Sequence, residues 1–181
     1  MPGAVYATGQ SVELRTIERN DMEFLRDVIN SPAVRQGLSV TLPKNLKQEE
    51  DYFEEVVSSD DSNVNLLICK ESQPIGTIGL HGIDSIDGTS EIGLFLAEDF
   101  WGKGYGTDAS RVMTELGFNQ FRRHRIVAHV IAGNESSKRV WEKLGYRHEA
   151  IEKEAAFHDG DFIDLHQFAI LKPEWETEQK Y

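Results

Sequence analysis

The chain has 181 residues, 39% of them hydrophobic and 28% charged, and its net charge is −12. That length and mixture suit one soluble globular domain with a sizeable core, and the acidic balance excludes the basic footprint of a general nucleic-acid binder. No apolar run approaches the roughly 20 residues of a membrane helix, and Met1–Gln10 has neither a basic n-region nor an apolar h-region, so a cytoplasmic protein is expected. The acidity itself has two readings. It steers cationic substrates such as amines, or it is a solvated acidic surface suited to a high-salt cytoplasm. The single cysteine, Cys69, lies in the apolar run Leu-Leu-Ile-Cys-Lys and reads as a buried, inert thiol.

Residues 1–11 read as an N-terminal extension, 12–171 as one domain and 172–181 as a C-terminal tail, frayed unless Trp175 docks. Val12–Ile17 alternates as a strand. Asn20 with Glu23 suggests a capping box for a helix bearing Met22, Leu25, Val28 and Ile29 on one face, stopped at Ser31–Pro32. Arg35–Asn45 reads as loop. Gln48–Ser58 reads as a second helix with Tyr52, Phe53, Val56 and Val57 inward and the acidic run around Glu49 to Glu55 in solvent. A meander follows: strands Val64–Lys70, Pro74–Ile83 and Ser90–Leu96, with Asp87–Gly88 as a hairpin signal. Thr107–Phe121 reads as a helix and Arg125–Ile131 as a strand. Asn134 caps a helix closed by Gly145, and strands Tyr146–Phe157 and Phe162–Leu171 meet at His158-Asp-Gly-Asp161. The order predicts an α/β (α+β) sandwich: a mixed, mostly antiparallel sheet of about seven strands flanked by about four helices.

The chemistry concentrates between Ser90 and Phe121. An apolar strand runs into Trp-Gly-Lys-Gly-Tyr-Gly (Trp101–Gly106) and then a helix. Glycines let backbone N–H groups converge, and the helix start adds unsatisfied N–H groups and a positive dipole end, a natural phosphate cradle. The spacing fits neither a P-loop nor a dinucleotide fingerprint.

The stretch resembles motif A of the GCN5-related N-acetyltransferases (GNAT), with Trp101-x-x-Gly104-x-Gly106 in place of [Q/R]-x-x-G-x-[G/A]. Asn134–Tyr146, NESSKRVWEKLGY, resembles a second motif of the same family. The EIG strand, the WGKGYGT loop and the late hairpin are most similar to the branch of RimJ- and RimL-like ribosomal-protein acetyltransferases and spermidine acetyltransferases. The resemblance covers roughly Val12–Leu171. It implies acetyl-CoA as acetyl donor, no metal, and a cleft where the fourth and fifth strands splay. Leu94, Phe95 and Leu96 would present a free edge to pantetheine, and Trp101, Gly102, Lys103, Gly104, Tyr105, Gly106 and Thr107 would surround the pyrophosphate. Asn134 would lie near the pantetheine arm or the amine, and Lys138 would contact a CoA phosphate.

The implied reaction is acetyl transfer to a primary amine by direct attack. The acceptor is a protein N-terminal amine, a polyamine or another small amine. An alkylammonium with a pKa near 10 needs a base. Glu91 is the leading choice, with Glu98, Asp99 and His81 behind it. Where many relatives carry a tyrosine beside the CoA sulfur this chain has Trp141, whose indole cannot titrate. Ser137 or Tyr105 would then protonate the sulfur, or the thiolate would leave unaided. A strand amide near Leu96 is the expected oxyanion donor. That same departure at Trp141 leaves a non-catalytic acyl-CoA sensor as the alternative. Resemblance also suggests a homodimer.

Overall fold

The computed structural model describes residues 2–38, 42–58 and 62–178. Among them, eight strands form one sheet: β1 (Val5–Thr8), β2 (Glu13–Thr16), β3 (Asn63–Lys70), β4 (Gln73–His81), β5 (Thr89–Leu96), β6 (Arg125–Ile131), β7 (Arg147–His158) and β8 (Asp161–Leu171). Their spatial order is β1-β2-β3-β4-β5-β6-β8-β7. Neighbours run antiparallel except for β5 and β6. The expected mixed, mostly antiparallel sheet is present, with one strand more than foreseen. The additional strand is β1, from the segment read as an extension, and it pairs with β2. The splay expected between the fourth and fifth strands therefore falls between β5 and β6.

Six helices accompany the sheet among the described residues: α1 (Met22–Asn30), α2 (Pro32–Arg35), α3 (Leu46–Tyr52), α4 (Tyr105–Asn119), α5 (Glu135–Lys143) and α6 (Lys172–Glu178). The two beyond the expected four are short. Pro32 ends α1 as anticipated, but its fixed φ also suits a first helical turn, so α2 starts on it. The reciprocal cap before α1 is made by Glu18 and Asp21 rather than by Asn20 and Glu23. Asn45 and Gln48 form the box that opens α3, two residues earlier than expected. Glu49, placed in solvent by its acidic neighbours, is buried, and that burial raises its carboxyl above the ordinary value. The tail does not fray at Pro173. Trp175, 4% exposed, seats α6 against Phe118 with ring centroids 6.3 Å apart.

Each sheet face has its own apolar cluster. Ile92, Ile126, Ala128, Val130 and Phe168 pack with Val112, Met113 and Leu116 of α4 and Trp141 of α5. On the opposite face Leu67 and Cys69 pack with Met22 and Leu25 of α1. Burial pushes the Cys69 thiol up to about 11, so it stays a protonated core group, as its surroundings suggested.

Asp108, in the first turn of α4, accepts backbone N–H groups from Gln10, Ser11 and Val12 at 3.1, 2.6 and 3.2 Å, and Arg111 reaches it at 3.0 Å. Its burial would raise the carboxyl pKa, but those donors outweigh it and hold the group below the usual value. The turn between β1 and β2 is thereby fastened to the helix that opens the glycine loop.

Candidate active site

β5 and β6 pair only from Thr89–Glu91 against Arg125–Val127. Beyond that point β5 keeps its bonds to β4 as far as Leu96 while β6 diverges. Ala97 N–H bonds to Ile75 O at 2.9 Å. Antiparallel alternation then turns the N–H and C=O groups of Ile92, Leu94 and Leu96 to the open edge. Trp101 folds its indole back over this edge and donates Nε1–H to Leu96 O at 2.8 Å.

The gap opens into a cleft of about 690 Å³ that reaches both faces of the sheet. One wall is the glycine loop. Gly102 and Gly104 have φ of +69° and +82°, and a Cβ on either would meet nothing within 4 Å, so glycine is needed there for backbone conformation and leaves open space. Gly104 is the N-cap of α4, so the Tyr105, Gly106 and Thr107 amides lie at the free start of a 15-residue helix. At Gly106 a Cβ would make ordinary contact with Leu94 Cδ1 and Leu96 Cδ1, at 3.4 and 3.5 Å.

α5 forms the facing wall through Ser136, Ser137, Arg139, Val140, Trp141 and Lys143. Asn134 caps it, accepting Ser137 N–H at 3.1 Å, and donates Nδ2–H to Gly37 O at 3.0 Å. Both ends of its amide are thus engaged within the protein, which makes it a strap between α5 and the turn after α2. Ala33, Val34, Gln36, Gly37 and Leu38 close the other mouth. Of Arg35–Asn45, expected as loop, residues 39–41 lie outside the described residues.

Most of the anticipated cofactor positions line this cleft: Leu94, Phe95, Leu96, Trp101, Gly102, Gly104, Tyr105, Gly106, Thr107 and Asn134, together with Ser137. The two anticipated lysines do not. Lys103 Nζ turns back to Asp99 O at 2.7 Å and lies over the Phe100 ring. Lys138 pairs with Glu135 at 2.8 Å. Arg139 and Lys143, four residues apart on one helix face, supply cations in their place. Glu98 and Asp99, in a 3-10 turn, and His81, 3.1 Å from Asn63 Oδ1, lie outside the cleft lining.

Glu91 stands at the last paired position before the fork. It does not line the cleft, but its Oε1 lies 3.1 Å from Nδ1 of His129, which does. Trp141 is 2% exposed and packs in a tilted arrangement against Tyr146, ring centroids 5.1 Å apart, with no hydrogen-bond partner for Nε1 among the described residues. It is a core wall of the cleft.

A parallel-edged fork beside a glycine-rich helix start is the setting in which the sequence profile described as Acetyltransferase (GNAT) domain matches residues 11–147. The chain belongs to the GNAT acetyltransferase family. It is 32% identical to the probable N-acetyltransferase YjcK of Bacillus subtilis, over 93% of this chain and 98% of that protein. It is 27% identical to the putative ribosomal N-acetyltransferase YdaF of the same organism, over 94% and 96%. The fold superposes on a spermidine N-acetyltransferase from Vibrio cholerae, solved with CoA and spermine, with a TM-score of 0.86 at 20% identity, covering 92% and 98% of the two chains. As a GNAT protein with N-acetyltransferase relatives along its whole length, it is an acetyltransferase.

Proposed function

We propose that the protein transfers the acetyl group of acetyl-CoA to the amino-terminal α-amine of a protein or peptide, by direct attack within a ternary complex. The observation that carries this reading is the fork, where one continuous cleft joins a phosphate-type cradle, a free strand edge and an amine-accessible mouth. The donor fits its residues. Backbone amides at the start of α4 meet the pyrophosphate, Arg139 and Lys143 balance phosphate charge, and the open edge at Ile92 and Leu94 pairs with the pantetheine amides like an added strand.

The acceptor choice rests on charge. The titratable groups of the described lining are Tyr105, His129, Arg139 and Lys143, and the carboxylates beside it, Glu91 and Glu152, both gather at the one point marked by His129. A polyamine carries several ammonium groups and needs several acidic partners, whereas an α-amine carries one. The protein's overall acidity is not concentrated in the cleft. An α-amine, with a pKa of about 7.7–8.0, is also easier to deprotonate than an alkylamine. The name of the YdaF relative, a putative ribosomal N-acetyltransferase, agrees with a protein acceptor.

Attack of the neutral amine forms the C–N bond, and a β5 amide near Leu94 or Leu96 holds the oxyanion. The base comes from the Glu91 and His129 pair at the fork. The C–S bond then breaks, and with Trp141 unable to titrate, Ser137, Tyr105 or water protonates a thiolate whose parent pKa of about 8.5 makes it a fair leaving group. Thiol release from acetyl-CoA with unblocked peptides, free amino acids and spermidine tests the reading. Turnover of peptides well above spermidine is expected. The reverse order would reassign the acceptor, and CoA binding without turnover of any amine would support a sensor.

A further inference from the structure

Four features of the acceptor mouth converge on one side chain. His129 sits on β6 just past its last pair with β5, on the face carrying Val127 rather than the face packed by α4. Its Nδ1 is 3.1 Å from Glu91 Oε1 on β5, and its Nε2 is 3.7 Å from Glu152 Oε1 on β7. Ionised carboxylates only accept, so the proton of a neutral ring belongs on Nδ1, facing Glu91, and the Nε2 lone pair is left free. Across the gap stands Gly93, where a Cβ would meet nothing within 4 Å, so there is open space beside the ring.

We propose that His129 Nε2, not the Glu91 carboxylate, takes the proton from the incoming amine, with Glu91 fixing the tautomer and Glu152 drawing the ammonium to the ring. This rests on the acetyl-transfer reading above. The 3.7 Å separation between Nε2 and Glu152 is too long for a hydrogen bond but suits an ammonium donating to both. As the amine docks, one N–H proton passes to Nε2, and the imidazolium lies between two carboxylates that stabilise it. That proton leaves through Glu91 or Glu152, which are half in solvent. A second proton leaves nitrogen as the tetrahedral species collapses and the sulfur gains one, so a single proton is released per turnover. Among the described residues, the charged groups facing the ring are these two carboxylates. β8 offers the neutral Gln167 opposite His129, and α2 with its following turn contributes Ala33, Val34, Gln36 and Leu38 to the mouth. His81, one strand beyond Glu91, is directed to Asn63.

The test uses the full-length protein, acetyl-CoA and two acceptors: a short peptide with a free alanine amino terminus, and methoxyamine, which is uncharged at neutral pH. His129→Gln is expected to lower kcat/KM for the peptide by about 10²–10⁴-fold and to abolish the acidic limb of its pH profile. Methoxyamine, already deprotonated, should lose less than tenfold. Glu91→Gln should lower peptide turnover by a smaller factor, displace the limb and keep it. Imidazole nitrogen NMR, which needs no acceptor, should show His129 as the Nδ1–H tautomer in the wild type and a mixture in Glu91→Gln. An Nε2–H tautomer, or an unchanged pH limb in His129→Gln with turnover lost only in Glu91→Gln, would overturn the proposal and leave acetyl transfer standing. No turnover of either acceptor or of any amine in the wider panel would overturn both.

Discussion

The two sides of the fork are built in opposite ways. On the α4 side the proposed CoA site is mostly main chain: helix-start amides, a strand edge and a turn whose geometry depends on two glycines with positive φ. On the proposed acceptor side it is side chains, His129, Glu91 and Glu152, on three different strands. Main-chain recognition tolerates substitution at most positions but fails when backbone geometry changes. Side-chain recognition is sensitive residue by residue. One side is therefore suited to a constant ligand and the other to a variable one.

That contrast can be broken most forcefully at Gly104. Gly104→Val places a β-branched residue at φ +82° and is expected to weaken CoA binding by more than tenfold in calorimetry, with the far-UV spectrum unchanged. Next in size is Asp108→Ala, which strands backbone donors of the β1–β2 turn and should cost about 2 kcal/mol in urea unfolding. The sign with pH follows from its lowered carboxyl. The contribution is full above the unfolded value of about 3.9 and is lost as pH falls through the lower folded value, so the difference between variant and wild type should shrink only in strong acid. Arg139→Ala and Lys143→Ala should each weaken CoA binding several-fold, less so at high salt, whereas Lys103→Ala and Lys138→Ala should have little effect. The smallest effect is expected from Trp141→Phe. It removes a buried N–H that has no partner among the described residues, so peptide turnover should stay within a few-fold of wild type; a loss of several orders of magnitude would give the indole a chemical role.

The sequence disclosed the main-chain side far better than the other. Glycine spacing, the Asn134 cap and strand order mark positions where the backbone must do something unusual, and such marks are local. Glu91 was also singled out, by its place on the strand before the loop, and it stands at the fork. His129 was not, because Arg-Ile-Val-Ala-His-Val-Ile alternates without saying which face meets Glu91. That depends on pairing register, a non-local property. Lys103 and Lys138 illustrate the same limit, since a long cation near a phosphate loop is free to turn towards a carbonyl or a neighbouring carboxylate. Arg139 and Lys143, at i, i+4 spacing, share a helix face that lines the cleft, whereas Lys138 does not line it. β1 lay in a segment with little apolar alternation, and its pairing with β2 is what makes it a strand.

The Asp108 staple bears on more than the anchoring of a turn. A carboxylate in the first turn of α4 stands close to where a pyrophosphate is expected, and like charges there repel. With three amides and a guanidinium directed at it, the anion is largely neutralised before any phosphate arrives. In the proposed function the residues around Ser11 would thus serve as an electrostatic shield for the pyrophosphate. Clipping the first dozen residues would uncover that charge and weaken CoA binding from a distance, even in a molecule that still folded.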